Sequence, residues 1–290
     1  MNTNWKTFKI SKENDSKKIL NFIKDVLYDY PISLIYKLFR QKDIKINDQR
    51  ISNEKLRIKT GDMVSIFFAK EIKTKKESKI NVDINFRIIY EDKNILLINK
   101  PSGISIHSES NSLDLQVLKY LNYKNEIGEF RASHVGRLDK ETSGLIIYAK
   151  NYFSVAELNR KINSFEKIYA FKSDYNGLDR EINLLIEKNK NNFLKAKIIN
   201  SYFANKNTAK TYIYKKNNVW YAKLLSGKKH QIRLSMKCLN APIYGDKKYN
   251  GPKANRLYLH CNFLKFKNLE GKLEYLNDKE FYSPIPWKEK

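Results

Sequence analysis

Cysteine is scarce in this 290-residue chain: Cys238 and Cys261 are the only two, far apart and without metal-ligand spacing. That excludes a disulfide framework and points to a reduced, intracellular protein. Histidine is almost as rare. His107, His134, His230 and His260 form no His-x-x-x-His pair, which argues against a metal site. The ten glycines include no Gly-x-Gly-x-x-Gly fingerprint, so a nucleotide cofactor is not expected. No apolar run approaches the ~20 residues of a membrane span, and the first residues lack the apolar core of a signal peptide. The expectation is a cytoplasmic chain with no membrane partner, no metal and no cofactor. Acidic residues are also few: Asp+Glu number 31 against 56 Lys+Arg, a net charge of +25. An AT-rich genome would enrich Lys, Asn and Ile, but such drift raises Glu as well. The imbalance therefore points to a polyanion, most simply a nucleic acid.

What is present begins with a small module. Ile19, Leu20, Ile23, Val26 and Leu27 recur at helical spacing, with Lys17, Lys18 and Lys24 on the wet side. Pro31 and Ser33 restart the chain, Ser33 as N-cap, and Leu34, Ile35, Leu38 and Phe39 repeat the pattern. Lys37, Arg40 and Lys42 fall off that stripe and give the second helix a basic face. The alternating stretch Ile44–Ile46, turns at Asn47-Asp48 and Gly61-Asp62, and a strand over Met63–Phe68 follow. A charged stretch without apolar period then reads as a linker. The expected boundaries are a module over 1–70, a linker over 71–82 and a second domain over 83–290.

In that second domain, 86–90 and 95–100 read as strands joined by a turn-rich tetrad, and Pro101-Ser102-Gly103 breaks the second strand. Leu113, Val117, Tyr120 and Leu121 predict a helix with Ser112 near its cap. Asn151 is placed to cap another. Strands are expected at 167–171 and roughly at 193–200, 208–214 and 218–224, with short polar connections that favour antiparallel pairing. Ile232, Ser235, Met236 and Leu239 fit the buried stripe of a helix. His230, Arg233 and Lys237 share another face of it. Between these elements lies His134-Val135-Gly136-Arg137-Leu138-Asp139, then Thr142-Ser143-Gly144 as a turn into the apolar run 145–149. Arg137 and Asp139, two apart, reach the same side of an extended backbone. On chemistry alone they are either a structural ion pair or a site.

The segment Gly136-Arg137-Leu138-Asp139-x-x-Thr142-Ser143-Gly144-Leu145 resembles the signature of the RluA-type pseudouridine synthases. Three more ordered stretches resemble that family: Tyr90-Glu91-Asp92 through Asn99-Lys100-Pro101-x-Gly103 to His107, Lys167-x-Tyr169, and Gly227-Lys228-x-His230-Gln231-Ile232-Arg233. Pro242-Ile243-Tyr244-Gly245-Asp246-x-x-Tyr249 and Leu257–His260 also look like family features. The family usually has His directly before the signature Arg; here Gly136 stands there. The N-terminal module resembles an S4-type RNA-binding domain through 37–47 and Lys59-Thr60-Gly61-Asp62, with Asp48 where that family often has Gly.

The resemblance implies an α+β protein: a mixed, mostly antiparallel sheet with helices outside it and a cleft across its middle, preceded by a small α/β S4-like domain. It implies isomerisation of uridine to pseudouridine in RNA, most simply large-subunit (23S) ribosomal RNA, by a monomer and without cofactor. Asp139 would be the catalytic residue, acting as nucleophile or base, Arg233 its partner, and Tyr169 the ring that stacks on the flipped base and helps remove the C5 proton. Arg137, Lys228 and His230, with Lys37, Arg40 and Lys42 in the module, would contact RNA. The alternatives are a non-catalytic S4-type ribosome assembly factor and a glycosidic hydrolase. The latter needs paired carboxylates, and Asp139 has no evident second acid.

Overall fold

The computed structural model describes residues 4–27, 30–67, 80–123, 130–188, 193–205 and 207–287. Most of the expected linker, 71–79, lies outside the described residues, as does Phe68.

The first 67 residues form one layer of sheet and two helices. Strands β1 (Trp5–Lys9), β2 (Ile44–Ile46), β3 (Gln49–Ile51) and β4 (Met63–Phe67) pair in the order β1-β4-β2-β3, all antiparallel. Helices α1 (Ile19–Val26) and α2 (Ile32–Arg40) bury Ile19, Phe22, Ile23, Ile35, Leu38 and Phe39 beneath it. Pro31 rather than Ser33 occupies the N-cap of α2. A proline there is already set near its only allowed φ and gives up no helical N–H. Asn47 and Asp48 both take left-handed backbone (φ 50° and 64°), as a tight hairpin turn between β2 and β3 requires. Asp tolerates that conformation, so the absent glycine is no obstacle.

The remainder is built on an eleven-stranded sheet, with its own core. In chain order its strands are β5 (Arg87–Glu91), β6 (Ile95–Lys100), β7 (Ser133–Val135), β8 (Ser143–Ala149), β9 (Glu166–Phe171), β10 (Arg180–Lys188), β11 (Leu194–Ile198), β12 (Ala209–Lys216), β13 (Val219–Leu224), β14 (Leu259–Lys265) and β15 (Glu280–Tyr282). The spatial order is β11-β10-β12-β13-β9-β14-β8-β6-β5, with β15 on β14 and β7 on β8. Only β14 and β8 run parallel; every other pair is antiparallel, the mixed sheet expected. Strand β10 was not anticipated. Its Leu184-Leu185-Ile186 run breaks the alternation by which a strand is recognised.

Central strands are apolar throughout because both faces are covered: Ile95–Ile98 and all of β8 are buried. Helices α3 (Leu113–Tyr120), α4 (Tyr152–Lys161) and α5 (Gln231–Cys238) lie outside the sheet. Asn151 caps α4, its side chain accepting from the Ser154 amide at 3.0 Å. No helix among the described residues is long and apolar enough to cross a membrane.

The β8–β14 seam places the signature. Gly144 (φ 114°) sits where a Cβ would fall 2.3 Å from the Cys261 carbonyl oxygen, so only glycine lets the strands meet. The turn before it is Lys140-Glu141; Ser143 and Gly144 already belong to β8. Buried His260 ties the same seam, its ring bonded to the hydroxyls of Ser143 (2.8 Å) and Ser283 (3.0 Å). Burial pushes it down to about 4, so it is a neutral spacer.

Candidate active site

A cavity of about 590 Å³ opens on one face of this sheet. Asp139, Arg137, Tyr169, Lys167, His230 and Arg233 all line it. They arrive from three elements: the 136–142 loop between β7 and β8, the middle of β9, and the N-terminal turn of α5. Asp139 is the only carboxylate on its wall among the described residues.

Asp139 is held by Arg233, whose Nη1 donates to its Oδ2 at 2.9 Å. Of the two readings open for Arg137 and Asp139, the structural ion pair does not form, and Arg233 is the partner of Asp139, as the resemblance implied. Arg137 is exposed at the mouth, without an ion-pair partner among the described residues. Arg233 itself is buried, 7% exposed. Its second partner is Asp246, fully buried, which takes Nε and Nη2 in a bidentate pair at 2.8 Å each. Burial works against the Arg233 charge, but Asp246 and Asp139 outweigh it and raise its pKa. Asp246 was visible in sequence only as part of a motif. The signal that could have found it is arithmetic: a buried guanidinium has five donors, and one carboxylate cannot occupy them.

His230 does not sit on a common outer face with Arg233 and Lys237. It is the N-cap of α5 in left-handed backbone (φ 56°). Its ring turns inward, Nδ1 bonded to the Tyr249 hydroxyl at 2.6 Å and Nε2 3.6 Å from Asp139. Burial lowers its pKa, against the pull of Asp139. A neutral inward imidazole does not serve as a phosphate-binding cation; it belongs to the cluster around Asp139. Lys237 stays exposed, and Lys228 lies exposed on the rim. The Lys228 amide, one of the donors ahead of α5, is already taken by Gln231 Oε1 at 3.0 Å.

Tyr169 is 7% exposed and paired across β9 with Ala222 and Cys261. Burial pushes its phenol well above the ordinary value, reinforced by the neighbouring Cys261 side chain. It therefore keeps its proton at neutral pH.

The loop carrying Asp139 is fastened from beneath. Lys100, fully buried at the end of β6, donates to the carbonyls of Pro101 (2.9 Å), Ile104 (2.8 Å) and Lys140 (2.9 Å). Burial pushes its amine down to about 7, while the three carbonyls match the three donors of the ammonium form. The Gly103 amide also bonds the Lys140 carbonyl (2.9 Å), and Ser102 Oγ the Glu141 carbonyl (2.6 Å). The Asn99–Gly103 stretch thus positions the loop that carries Asp139.

In the N-terminal module, Lys37 and Arg40 are exposed on the side of α2 away from Ile35, Leu38 and Phe39; Lys42 is exposed too, but it lies past the end of the helix in left-handed backbone (φ 55°) rather than on its basic face. The four-stranded sheet of this module is separate from the eleven-stranded sheet that carries the cavity.

Residues 94–238 match the family model described as RNA pseudouridylate synthase. An uncharacterized RNA pseudouridine synthase of Mycoplasma capricolum is 34% identical, over 97% of this chain and 98% of its own length. A protein named ribosomal large subunit pseudouridine synthase C, from Rickettsia felis, is 37% identical over 86% of this chain and 92% of its own. Among solved structures, human RNA pseudouridylate synthase domain containing 1 shares the fold, with a TM-score of 0.56 and 20% identity, covering 70% of this chain and 84% of that one.

Proposed function

The chain belongs to the RNA pseudouridylate synthase family, and from that premise we propose that it isomerises uridines of large-subunit ribosomal RNA, with Asp139 as the catalytic carboxylate. The observation that carries the site assignment is the lone cavity carboxylate, held at 2.9 Å by a buried arginine that a second aspartate clamps. The relatives named for the large ribosomal subunit support the substrate. The cavity is assembled within one chain, which supports a monomer.

Isomerisation requires that the N1–C1′ bond break, the base turn, and C5 join C1′. A base in folded RNA is stacked, so the target must first flip out, at a cost of a few kcal/mol. Arg137, unpaired at the mouth, is placed to take the space the base leaves or to meet an adjacent phosphate. Lys228 on the rim is placed for phosphate. Asp139 supplies the covalent or base catalysis that starts glycosidic cleavage. Arg233 orients it, and the Asp246 clamp fixes Arg233. Tyr169 retains its proton, so we assign it to packing on the flipped base rather than to taking the C5 proton.

The other two readings are weaker. A purely RNA-binding assembly factor would have no use for an Asp–Arg–Asp chain aimed into a cavity, with two of its three members buried. A paired-carboxylate hydrolase needs a second acid facing Asp139, and the cavity wall offers none among the described residues.

The purified chain, incubated with transcribed large-subunit ribosomal RNA, should produce pseudouridine at discrete positions when the RNA is mapped. Pseudouridine in transfer RNA alone would move the substrate; none in any RNA would end the proposal.

We also assign residues 1–70 to RNA binding as an S4-like module. The exposed Lys37, Arg40 and Lys42 support it. Removing the module should weaken RNA binding and flatten the dependence of log K on log salt by about 0.7–0.9 for each lost phosphate contact, so by about two to three if these three cations each neutralise one phosphate. An unchanged slope would leave the module without phosphate contacts.

A further inference from the structure

Strand β9 brings a second polar group to the cavity. Lys167 precedes Tyr169 by two positions, so both project from the same face of the strand, about 7 Å apart along it. Its surroundings are unlike those of the paired cations here. Arg233 has two carboxylates. Lys140 has Glu109. Glu166, the neighbour of Lys167 in sequence, is taken by Lys223 and Lys267 (2.7 and 3.1 Å). Among the described residues nothing accepts a hydrogen bond from Lys167 Nζ; the Phe165 ring lies 5.9 Å away. Cys261 is the ionisable group that acts on it, and burial pushes that thiol up to about 11, so it carries no charge at neutral pH. The Lys167 side chain still touches the cavity, yet protein surrounds it closely enough to lower its pKa.

The loop that carries Asp139 passes beside this head group. Gly136 runs at φ 75°, and a Cβ there would fall 2.7 Å from Ile162 Cδ1 and 3.7 Å from Lys167 Nζ. A side chain at 136 would press on the end of Ile162 and strain the left-handed backbone, while meeting the amine only at ordinary contact distance. An ammonium held in a protein wall without an acceptor is costly to keep. It is useful if the acceptor arrives with the substrate.

The reaction supplies such an acceptor. When the N1–C1′ bond breaks, the bonding pair leaves with the base. The detached uracil is then an anion, its charge spread over N1, O2 and O4. When C5 attacks C1′ the pair enters the new bond; the C5 proton is later lost and N1 gains one, so the sum is an isomerisation. The geometry points to Lys167 as a catalytic residue that donates a hydrogen bond to a carbonyl oxygen of the detached uracil and stabilises its charge while the base turns. This assignment rests on the pseudouridine synthase reading. It gives Lys167 a contact stronger in the transition state than in the bound substrate, the condition for accelerating the chemistry.

The test uses the full chain and a transcribed large-subunit ribosomal RNA fragment, under single-turnover conditions. Lys167→Met removes an unpartnered charge from a protein wall, so its Tm should equal or exceed that of the wild type. Its rate of pseudouridine formation should fall by about 10²–10³-fold, the usual cost of one such donor. RNA affinity should change less than about twofold, with an unaltered salt slope. In Lys167→Ala, added ethylammonium should fill the vacated space and restore the rate about tenfold or more; Asp139→Asn should show no such rescue. A rate within threefold of wild type overturns the proposal. Weakened RNA binding with the salt slope reduced by about one would instead mark a phosphate contact and overturn it too. A slow, thermally weakened variant that ethylammonium cannot restore would mark a packing residue. Wild-type protein that forms no pseudouridine would fail the family reading, a result separate from all of these.

Discussion

Asp139→Asn should abolish pseudouridine formation, lowering the single-turnover rate by about 10⁴-fold or more while the RNA still binds. The substitution keeps the shape of the side chain and one acceptor for Arg233 Nη1. It removes the charge and the nucleophilic oxygen, and losses of that size accompany removal of a residue that forms or breaks the reacting bond. Affinity for RNA should hold or rise, since a negative charge leaves a cavity rimmed by Arg137 and Lys228. Quench-flow mapping of the modified site, paired with a binding isotherm, separates the two effects. A variant retaining more than about one per cent of the wild-type rate would show that another group does the chemistry. A variant that merely loses affinity would give Asp139 a role in binding.

The second large effect concerns a residue that never touches substrate. Asp246→Asn should cost about 3–5 kcal/mol of stability, because it leaves the buried guanidinium of Arg233 with one carboxylate and turns an amide N–H toward one of its donors. For the domain built on the larger sheet that corresponds to a fall in Tm of about 6–20 °C. Activity measured well below the new Tm should also fall, by about tenfold or more, because Arg233 orients Asp139 from the far side of the same guanidinium. Lys237→Met on the exposed face of α5 is the control and should change neither. Tm within about 2 °C of wild type, with activity intact, would show that the Asp246 clamp is dispensable.

The two predictions differ in how visible their residues were. Asp139, Tyr169 and Arg233 stand in short segments whose residue types and order resemble a family, so the sequence pointed to them directly. Local elements were also legible, because they rest on near-neighbour rules. The helical stripes at 19–27 and 34–39, the Asn151 cap and the buried run of β8 all follow from spacing within one or two turns. Strand β10 was missed because its apolar triplet suppresses the alternation that marks a strand. The start of α2 was misplaced by two residues, where Pro31 outcompetes Ser33 for the cap.

Partners were harder. Asp246 and Arg233 lie 13 residues apart, Asp139 and Arg233 are 94 apart, and no local rule joins them. The proximity of Arg137 to Asp139 in sequence left open whether they pair. Two residues apart in an extended segment are near enough to pair, yet the loop turns Arg137 outward and Asp139 inward. Helical spacing likewise grouped His230 with Lys237, but the left-handed backbone at His230 lies outside the helix and rotates the ring into the cavity.

By itself, then, the sequence determined the charge that calls for a polyanion, the elements built on local periodicity, and the residues whose order identifies the family. The tertiary structure alone decided which charges meet. Pairing of a guanidinium, an imidazole and two carboxylates depends on where strands β8, β9 and β14 bring distant segments together. It also depends on which groups lose water when they do, and an ion pair gains strength only where water is excluded. That is why Arg233 is a buried hub, Arg137 a free cation at the mouth, and Lys167 a cation in the wall waiting for an acceptor.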